Sequence, residues 1–175
     1  MKKHPTKRWI ALFSHTGSEI HNLSKRLNIK PDSIVTNVSP DKKIHEQFSP
    51  VLHVSKKPTI QQYRSFLDTD SFITLHGWMR IIPEEICKDY EIYNLHPGLI
   101  TQYPELKGKD PQSRVLGKSY DSVGCVIHRA SSELDSGEVL MERSSPNIFA
   151  TEQWLTSHLH QMSTDMWFEF ISNYK

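Results

Sequence analysis

The fold is decided by the stretch WIALFSHTGSEIHNLSKRLNI, residues 9–29. Its first five residues, 9–13, are almost wholly apolar, as expected of a strand buried on both faces of a parallel sheet. A polar turn follows at 14–17, and from Ser18 the apolar residues recur at helical spacing until Pro31. The stretch therefore predicts a strand, a loop and a helix, which is the beginning of a βαβ unit.

The same alternation continues along the chain. Strands are predicted at 33–37, 71–76, 91–94, 122–128 and 138–143, with a short one at 50–54, and helices at 59–67, after Pro83, at 110–116 and at 151–172. This pattern predicts an α/β fold with a mostly parallel central sheet and helices on both faces. No repeat or linker divides the chain, so we expect residues 1–175 to form a single domain, with 1–8 as a basic, flexible N-terminus.

Composition and charge narrow the possible partners. The chain has 175 residues, 37% of them hydrophobic, which is enough for a core and excludes a disordered tail. Its 21 cationic and 20 anionic side chains give a net charge of +1, so we expect neither nucleic acid nor a membrane as partner, but a small molecule. The absence of a signal peptide and the presence of only two distant cysteines, Cys87 and Cys125, predict a cytoplasmic protein.

The first predicted strand exit is polar and contains Gly17 and Ser18. Ligands of open α/β sheets bind beyond the carboxyl ends of the strands, and a helix that begins there offers free N–H groups to a phosphate. Gly17 allows close backbone approach, whereas Glu19 stabilises the helix but opposes a phosphate. Many such turns contain Gly-Ser for geometry and capping alone, and that interpretation stays open.

A second exit places Asn94 and His96 two residues apart. If the strand continues, both side chains point to the same face, while Leu95 points away. An amide donor and an imidazole that converge on one volume suit acyl transfer, because they can stabilise an oxyanion and move a proton. The alternative is an asparagine that caps the strand end and a histidine that fills space.

The third exit is the loop 131–137, which carries Asp135 and Gly137. A carboxylate there can orient a histidine, raise its pKa and relay a proton through water. An ordinary turn, in which Asp135 bonds its own backbone and Gly137 takes a positive φ, explains the same residues.

These segments occur together in the order found in the folate-dependent formyltransferases, whose pattern is roughly S-G-x-G-S-N, G-F-M-R-I-L, N-x-H-P-S-L-L-P-x-Y-P-G, G-x-T/S-V-H and D-x-L-D-x-G-P-I. The chain has SHTGSE at 14–19, HGWMRII at 76–82, NLHPGLITQYPELKG at 94–108, GCVIH at 124–128 and SELDSGEVL at 132–140. The resemblance is dense over 72–143 and weak over 38–64. Within the family, the chain is most similar to the glycinamide ribonucleotide transformylases.

The resemblance implies a Rossmann-like formyltransferase fold, 10-formyltetrahydrofolate as co-substrate, no metal, and a small-molecule acceptor amine such as glycinamide ribonucleotide or a related amino nucleotide. By motif match, the catalytic residues are Asn94, His96 and Asp135. As the amine attacks the formyl carbon, Asn94 and protonated His96 would stabilise the tetrahedral oxyanion. Asp135 would keep the imidazole charged and relay the amine proton.

The resemblance also implies binding residues. Folate would contact Trp78, Met79, Arg80, Ile81 and Ile82 on one wall and Ser131, Ser132, Glu133 and Leu134 on the other. The acceptor's phosphate would contact Thr16, Gly17, Ser18 and Glu19. Without the resemblance, Trp78, Met79 and Ile82 would be interpreted as core residues. We expect a monomer or a homodimer.

The chain departs from the family pattern at several positions. Gly98, Thr101, Glu105 and Glu138 replace the usual Ser, Pro, Gly and Pro, while His15 and Glu19 replace a glycine and an asparagine. The stretch 157–164 has no clear match to the Glu-His with which the transformylase's C-terminal helix helps hold the acceptor. No departure removes a catalytic group, but they leave open whether the acceptor is glycinamide ribonucleotide.

Three alternatives remain from the sequence. A sugar-nucleotide N-formyltransferase shares the Asn-x-His and the distal Asp, although such proteins usually carry extra C-terminal structure. A catalytically silent nucleotide- or folate-binding module is disfavoured because the whole trio is present. A metal-dependent hydrolase would draw on His53, His76, His96 and His128, but no His-x-x-x-His pair lies on a predicted helix face.

Overall fold

The computed structural model describes residues 7–44, 50–116 and 118–174, and these ranges contain seven strands and five α-helices. The strands are β1 (Arg8–Phe13), β2 (Ser33–Thr36), β3 (Leu52–His53), β4 (Ser71–His76), β5 (Glu91–His96), β6 (Ser122–Arg129) and β7 (Val139–Pro146). The helices are α1 (Ser18–Leu27), α2 (Ile60–Phe66), α3 (Glu84–Asp89), α4 (Pro111–Val115) and α5 (Glu152–Asn173). A 3₁₀ turn, Pro104–Leu106, lies between β5 and α4.

All seven strands form one sheet in the order β3-β2-β1-β4-β5-β6-β7. The five strands from β3 to β5 are parallel to their neighbours, whereas β6 is antiparallel to both β5 and β7. The predicted α/β fold with a mostly parallel sheet is therefore confirmed. The carboxyl ends of β1, β2, β3, β4 and β5 all lie at one edge, where the three polar exits of the sequence begin or converge.

The central strand β1 is covered on both faces. Trp9, Ala11 and Phe13 pack in the core that includes α1 and α5, while Ile10 and Leu12 pack in the core that includes α2 and α3. The five residues are all buried. This burial accounts for the uninterrupted apolar run, because a strand between two helical layers has no solvent-facing side.

The helices start where the local sequence satisfies their first turns. Thr59 caps α2 by accepting a hydrogen bond from the N–H of Gln62, whose side chain accepts in return from the N–H of Thr59. Thr151 caps α5 in the same way by accepting from the N–H of Trp154. By contrast, α1 follows Gly17 at φ +75° and has no side-chain cap, so its first N–H groups are left without that partner.

The longest helix, α5, has 22 residues and buries one side against the sheet through Leu155, Leu159, Met166 and Ile171. Its remaining side is polar, since the helix covers one layer of the domain. No helix in the described parts of the chain is both long and apolar enough to cross a lipid bilayer.

Several strand boundaries differ from the predictions, and the differences at β1 and β7 have a clear physical reason. Strand β1 begins at Arg8, because this residue already pairs with Ser71 of β4; residues 1–6 of the predicted flexible N-terminus lie outside the described residues. Strand β7 extends to Pro146, three residues beyond the prediction, because the ladder with β6 continues to the pair Ser122 and Pro146. A proline can end this strand because β7 is at the edge of the sheet.

Candidate active site

Strands β5 and β6 bring polar side chains together at the carboxyl end of β5. Asn94 and His96 lie two residues apart on β5, and the antiparallel register sets His128 of β6 directly opposite Asn94. Asp135 follows in the loop after β6. His96, His128 and Asp135 are all buried, and Asn94 is half-buried. The fold thus collects the three predicted catalytic residues and adds a second histidine.

The carboxylate of Asp135 is the centre of this group. Its Oδ2 lies 3.2 Å from His96 Nδ1 and accepts a hydrogen bond from the Gly108 N–H at 2.9 Å. Its Oδ1 lies 3.4 Å from His128 Nε2 and accepts a long hydrogen bond, 3.4 Å, from Asn94 Nδ2. One carboxylate therefore contacts all three other side chains of the group.

The backbone of Asp135 is in the left-handed region, with φ +49°. Aspartate tolerates this conformation better than most residues, and such strain is frequent at functional sites. Two serine hydroxyls hold the turn, since Ser131 donates to the Glu133 carbonyl and Ser136 donates to the Leu134 carbonyl. The polar sequence of this loop thus builds the turn that directs the carboxylate toward β5.

The ring of His96 is fixed between this carboxylate and a loop carbonyl. Its Nε2 lies 2.8 Å from the Leu106 carbonyl oxygen. Because a carbonyl can only accept, Nε2 carries a proton and donates it there. The guanidinium of Arg114 donates to the same carbonyl at 2.9 Å and to the Lys107 carbonyl at 2.8 Å, which fixes the loop.

Gly98 makes this ring position possible. A Cβ atom at residue 98 would lie 2.9 Å from His96 Nε2, closer than side-chain carbons approach such atoms. The chain thus has glycine, where the family pattern has serine, at the point where the imidazole lies against the backbone. This departure admits the orientation of His96 toward Leu106.

The two titrating groups of the pair respond to burial differently. Burial lowers the pKa of His96, and the negative charge of Asp135 opposes this effect without cancelling it. Burial acts to raise the pKa of Asp135, but the hydrogen bond with His128, the charge of His96 and the Gly108 N–H together bring it below its usual value. The site therefore holds an ionised carboxylate beside an imidazole that binds its second proton less tightly than a histidine in water.

Residues 98–108 form a loop that covers this group. Its end is bonded to the 131–136 turn, because the Gly108 N–H donates to Asp135 and the Lys107 ammonium donates to the Ser136 hydroxyl at 2.8 Å. Since His96 Nε2–H faces the Leu106 carbonyl, a substrate oxygen has to replace that carbonyl in order to accept from His96.

The predicted folate segment 78–82 alternates between core and surface. Trp78 and Ile82 are buried with α2 and α3, where Trp78 Nε1 donates to the Tyr63 hydroxyl at 3.1 Å. Met79 and Ile81 remain 43% and 61% exposed. The buried residues therefore anchor the segment, while the exposed ones are free to contact a ligand.

The opposite predicted wall, 131–134, is mostly exposed. Leu134 is 53% exposed and lies beside Gly108 of the covering loop. Together with Met79 and Ile81, it leaves three apolar side chains exposed in the two segments that follow β4 and β6. Exposed apolar side chains near buried polar ones are typical of a small-molecule site.

In the predicted phosphate-binding turn, two side chains are exposed, whereas that of Glu19 is hydrogen-bonded within the protein. Thr16 and Ser18 are exposed, and Gly17 supplies the left-handed turn before α1. Glu19 points inward, where its carboxylate accepts hydrogen bonds from His76 Nδ1 at 2.7 Å and from the Ser163 hydroxyl at 2.6 Å. The structure thus brings Glu19 into contact with β4 and α5.

His76 and Glu19 form a second histidine–carboxylate pair. His76 Nε2 lies 2.8 Å from the Thr74 hydroxyl, which also accepts a hydrogen bond from Trp9 Nε1 at 2.8 Å. Burial acts to raise the pKa of Glu19, but the hydrogen bond and charge of His76 and the bond from Ser163 bring it below its usual value. Glu19 is therefore ionised at neutral pH.

Sequence reasoning missed the role of two histidines. His128 and His76 were named only as possible metal ligands, whereas the structure bonds His76 to Glu19 and sets His128 Nε2 3.2 Å from Asn94 Nδ2 and 3.4 Å from Asp135. The signal that could have found His128 is its position at the end of a predicted strand near Asp135. Within the described residues, no group of three or more His, Cys, Asp or Glu side chains could hold a metal ion.

Comparison with known proteins identifies relatives. A model of the formyl transferase family matches residues 10–166. A phosphoribosylglycinamide formyltransferase of Dictyostelium discoideum is 32% identical over 99 residues, which are 50% of this chain and 44% of the relative. The Escherichia coli K12 protein of the same name is 30% identical over 80 residues, 45% of this chain and 36% of the relative. The matched part thus spans less than half of each relative.

Solved structures share the fold. A phosphoribosylglycinamide formyltransferase of Anaplasma phagocytophilum superposes with a TM-score of 0.78 at 23% identity, covering 95% of this chain and 85% of that chain. A sugar N-formyltransferase of a Shewanella species gives 0.72 at 21% identity, covering 95% and 69%. Because the family model matches most of the sequence and these structures share its fold, the chain belongs to the formyl transferase family.

Proposed function

We propose that the protein transfers the formyl group of 10-formyltetrahydrofolate to the primary amine of a small, phosphorylated acceptor, such as glycinamide ribonucleotide. The observation that carries the proposal is the buried carboxylate of Asp135 in contact with Asn94, His96 and His128. In a formyl transferase, an amide donor and an imidazole beside an ionised carboxylate supply what direct attack on a formyl group requires.

The first step needs donors for a developing negative charge. As the amine nitrogen bonds to the formyl carbon, the carbonyl oxygen gains charge. His96 Nε2–H becomes available once the Leu106 carbonyl has moved away, and Asn94 Nδ2–H, which makes long contacts with Asp135 and His128, is the other donor at this end of β5. Such donors are worth about 2.7–4 kcal/mol each when they are preorganised.

The second step moves a proton. The bond between the formyl carbon and the donor nitrogen breaks, the attacking amine loses a proton, and the leaving nitrogen gains one. Asp135 is ionised, so it can stabilise a charged His96 and pass the proton through water. The contact with His128 holds the other carboxylate oxygen and keeps Asp135 in position.

The formyl donor would bind between the two segments that follow β4 and β6. Met79, Ile81 and Leu134 supply exposed apolar surface for a flat ring, and the backbone of Arg80 and of 131–133 supplies polar partners. Trp78 and Ile82 contribute by anchoring the first segment in the core. Bound folate would supply the activated formyl group, and every other group named here belongs to the protein.

The acceptor would contact the turn that precedes α1. No side-chain N-cap occupies the start of α1, and the Ser18 N–H makes only a long hydrogen bond, 3.4 Å, to the Thr16 hydroxyl, which an anion at Thr16, Gly17 and Ser18 could replace. Glu19 adds a carboxylate beside them, which suits an acceptor hydroxyl or amine. A single domain, a monomeric or homodimeric state and a cytoplasmic location remain predictions; Cys87 and Cys125 are free thiols, as a reducing compartment requires.

The experiment that tests the function follows deformylation of 10-formyl-5,8-dideazafolate spectrophotometrically, with and without glycinamide ribonucleotide. Acceptor-dependent deformylation by the wild type, together with its loss in Asp135→Asn, supports the proposal. If the protein binds the formyl donor but turns over only with amino sugar nucleotides, the acceptor is an amino sugar nucleotide and not glycinamide ribonucleotide. Absence of donor binding would contradict the proposed transfer and favour a silent binding module.

A further inference from the structure

A second pocket lies beside the candidate active site, at the carboxyl ends of β1, β2 and β3. Its volume is about 680 Å³, and it is lined by Ser14 and His15 after β1, by residues 37–40, Lys42 and Lys43 after β2, and by Val54 and Lys56 after β3. The carboxyl edge of parallel strands is where ligands of open α/β sheets bind. We call it the basic pocket.

The side chains that line the basic pocket carry a net positive charge. Three lysines, Lys42, Lys43 and Lys56, line it, whereas the single carboxylate of the same segment, Asp41, accepts a hydrogen bond from Ser39 at its margin. None of the three forms an ion pair with another residue in the described ranges. A chain whose cationic and anionic side chains otherwise nearly balance thus concentrates three unpaired positive charges at one ligand-accessible edge.

Two hydrogen bonds join this pocket to the predicted folate segment 78–82, and the chain itself joins it to the predicted phosphate turn. The Met79 N–H donates to the Ser14 hydroxyl at 2.9 Å, and Arg80 Nε donates to the Lys56 carbonyl at 2.7 Å. Along the chain, Ser14 and His15 continue directly into the turn at 16–19. A ligand bound at the turn or along 78–82 is therefore close enough to extend into the basic pocket.

The turn before α1 has no cationic side chain to neutralise a phosphate that its N–H groups contact. Its backbone N–H groups are offset by the ionised Glu19, which His76 and Ser163 hold in the first turn of the helix. No lysine or arginine occurs in residues 14–19. Along this edge of the sheet, cationic side chains occur in the basic pocket and at Arg80, whose Nε donates to the Lys56 carbonyl.

We propose that the basic pocket is an anion subsite that takes the phosphoryl group of the amine acceptor. Lys42, Lys43 and Lys56 neutralise its charge, and the hydroxyls of Ser14 and Ser39 and the amide of Asn37 lie within the same lining. The identity of the acceptor rests on the proposed function, whereas binding of the anion does not. The γ-glutamyl carboxylates of a folate tail are the other possible source of the same charge.

The experiment measures binding by isothermal titration calorimetry, without turnover. Ribose 5-phosphate and tri-γ-glutamate are titrated into the wild type, the double variant Lys43→Glu/Lys56→Glu, and the control Lys25→Glu/Lys57→Glu, which makes the same charge change outside the pocket. We expect ribose 5-phosphate to bind the pocket variant about tenfold more weakly than the wild type, because two exposed charge contacts are lost. Its affinity for the control variant should stay within twofold of the wild-type affinity.

The outcomes separate this proposal from the proposed function. Equal weakening in both double variants, or none in either, overturns the subsite. If only the binding of tri-γ-glutamate is weakened in the pocket variant, the pocket does not take the phosphoryl group of the acceptor. In turnover, the pocket variant should raise KM for a phosphorylated acceptor about tenfold with kcat within threefold; an unchanged KM in an active enzyme overturns the subsite and leaves the transferase activity intact.

Discussion

The sheet carries two histidine–carboxylate pairs at the carboxyl ends of the adjacent strands β4 and β5. In one, His76 Nδ1 lies 2.7 Å from Glu19; in the other, His96 Nδ1 lies 3.2 Å from Asp135. The register pairs Leu75 with Asn94, so Asn94 and His96 project from the face opposite to that of His76. The two pairs have the same composition but different surroundings.

The two histidines differ in the hydrogen-bond partner of their second ring nitrogen, Nε2. His76 Nε2 is bonded to the Thr74 side chain inside the core, and Ser163 occupies the other oxygen of Glu19, so this network is closed. His96 Nε2 is bonded to the main-chain carbonyl of Leu106, in the loop 98–108, whose other partner is the Arg114 guanidinium. A loop carbonyl can be exchanged for a substrate oxygen, whereas a buried side chain cannot. The exchangeable partner distinguishes a pair suited to catalysis from one suited to stability.

The largest effect should come from breaking the β5 pair. We expect His96→Gln and Asp135→Asn to lower kcat/KM for formyl transfer about a thousandfold or more, since both electrostatic stabilisation and proton transfer are lost. His76→Gln, which alters the other pair, should lower it less than tenfold. Steady-state assays, with circular dichroism to confirm folding, measure both. Equal losses for His76→Gln and His96→Gln would remove the distinction between the pairs.

A smaller loss is expected from the neighbouring amide. Asn94→Ala removes the Nδ2–H donor, so kcat should fall about a hundredfold while KM for the formyl donor changes little. Asn22→Ala, at an exposed position of α1, is the matched control and should leave both constants unchanged. A rise in KM with kcat preserved would show that Asn94 binds the ground state instead of the transition state.

The sequence was sufficient for the parts of this site that depend on local pattern. Apolar runs located the strands that hold it, and the spacing of Asn94 and His96 predicted that both lie on one face. The ordered motifs then linked these residues to Asp135. Each of these inferences needs only neighbours along the chain or a familiar order of motifs.

The parts that sequence could not supply depend on which strands become neighbours. His128 faces Asn94 only because β6 runs antiparallel to β5 in one register. Glu19 reaches His76 only because β4 inserts beside β1, where Phe13 pairs with His76. A shift of one residue in either register would turn these side chains to the opposite face, and no local pattern fixes that choice.

The closed pair on β4 should contribute to stability more than to turnover. Thr74→Val keeps the shape of the side chain but leaves Trp9 Nε1 and His76 Nε2 without their buried partner, so unfolding free energy should fall by about 2 kcal/mol. Thr164→Val, on a partly exposed side of α5, should change it by less than about 0.5 kcal/mol. Urea unfolding measures both, and formyl transfer below the transition should remain within threefold of wild type. A large loss of activity without loss of stability would place this pair in the reaction.

The smallest expected effect is a pH dependence that belongs to Glu19. Its pKa in the folded protein is below the ordinary value of 4.5, because His76 and Ser163 outweigh burial. A carboxyl with a lowered folded pKa stabilises the protein fully above its unfolded pKa and loses that contribution as the pH falls toward the folded pKa. The difference in unfolding free energy between wild type and Glu19→Gln should therefore be constant from pH 7 to about pH 5.5 and shrink from pH 5 to pH 3.5. If the Glu19→Gln difference stays constant down to pH 3.5, the carboxylate of Glu19 is not held ionised by His76, and the β4 pair is an ordinary neutral hydrogen bond.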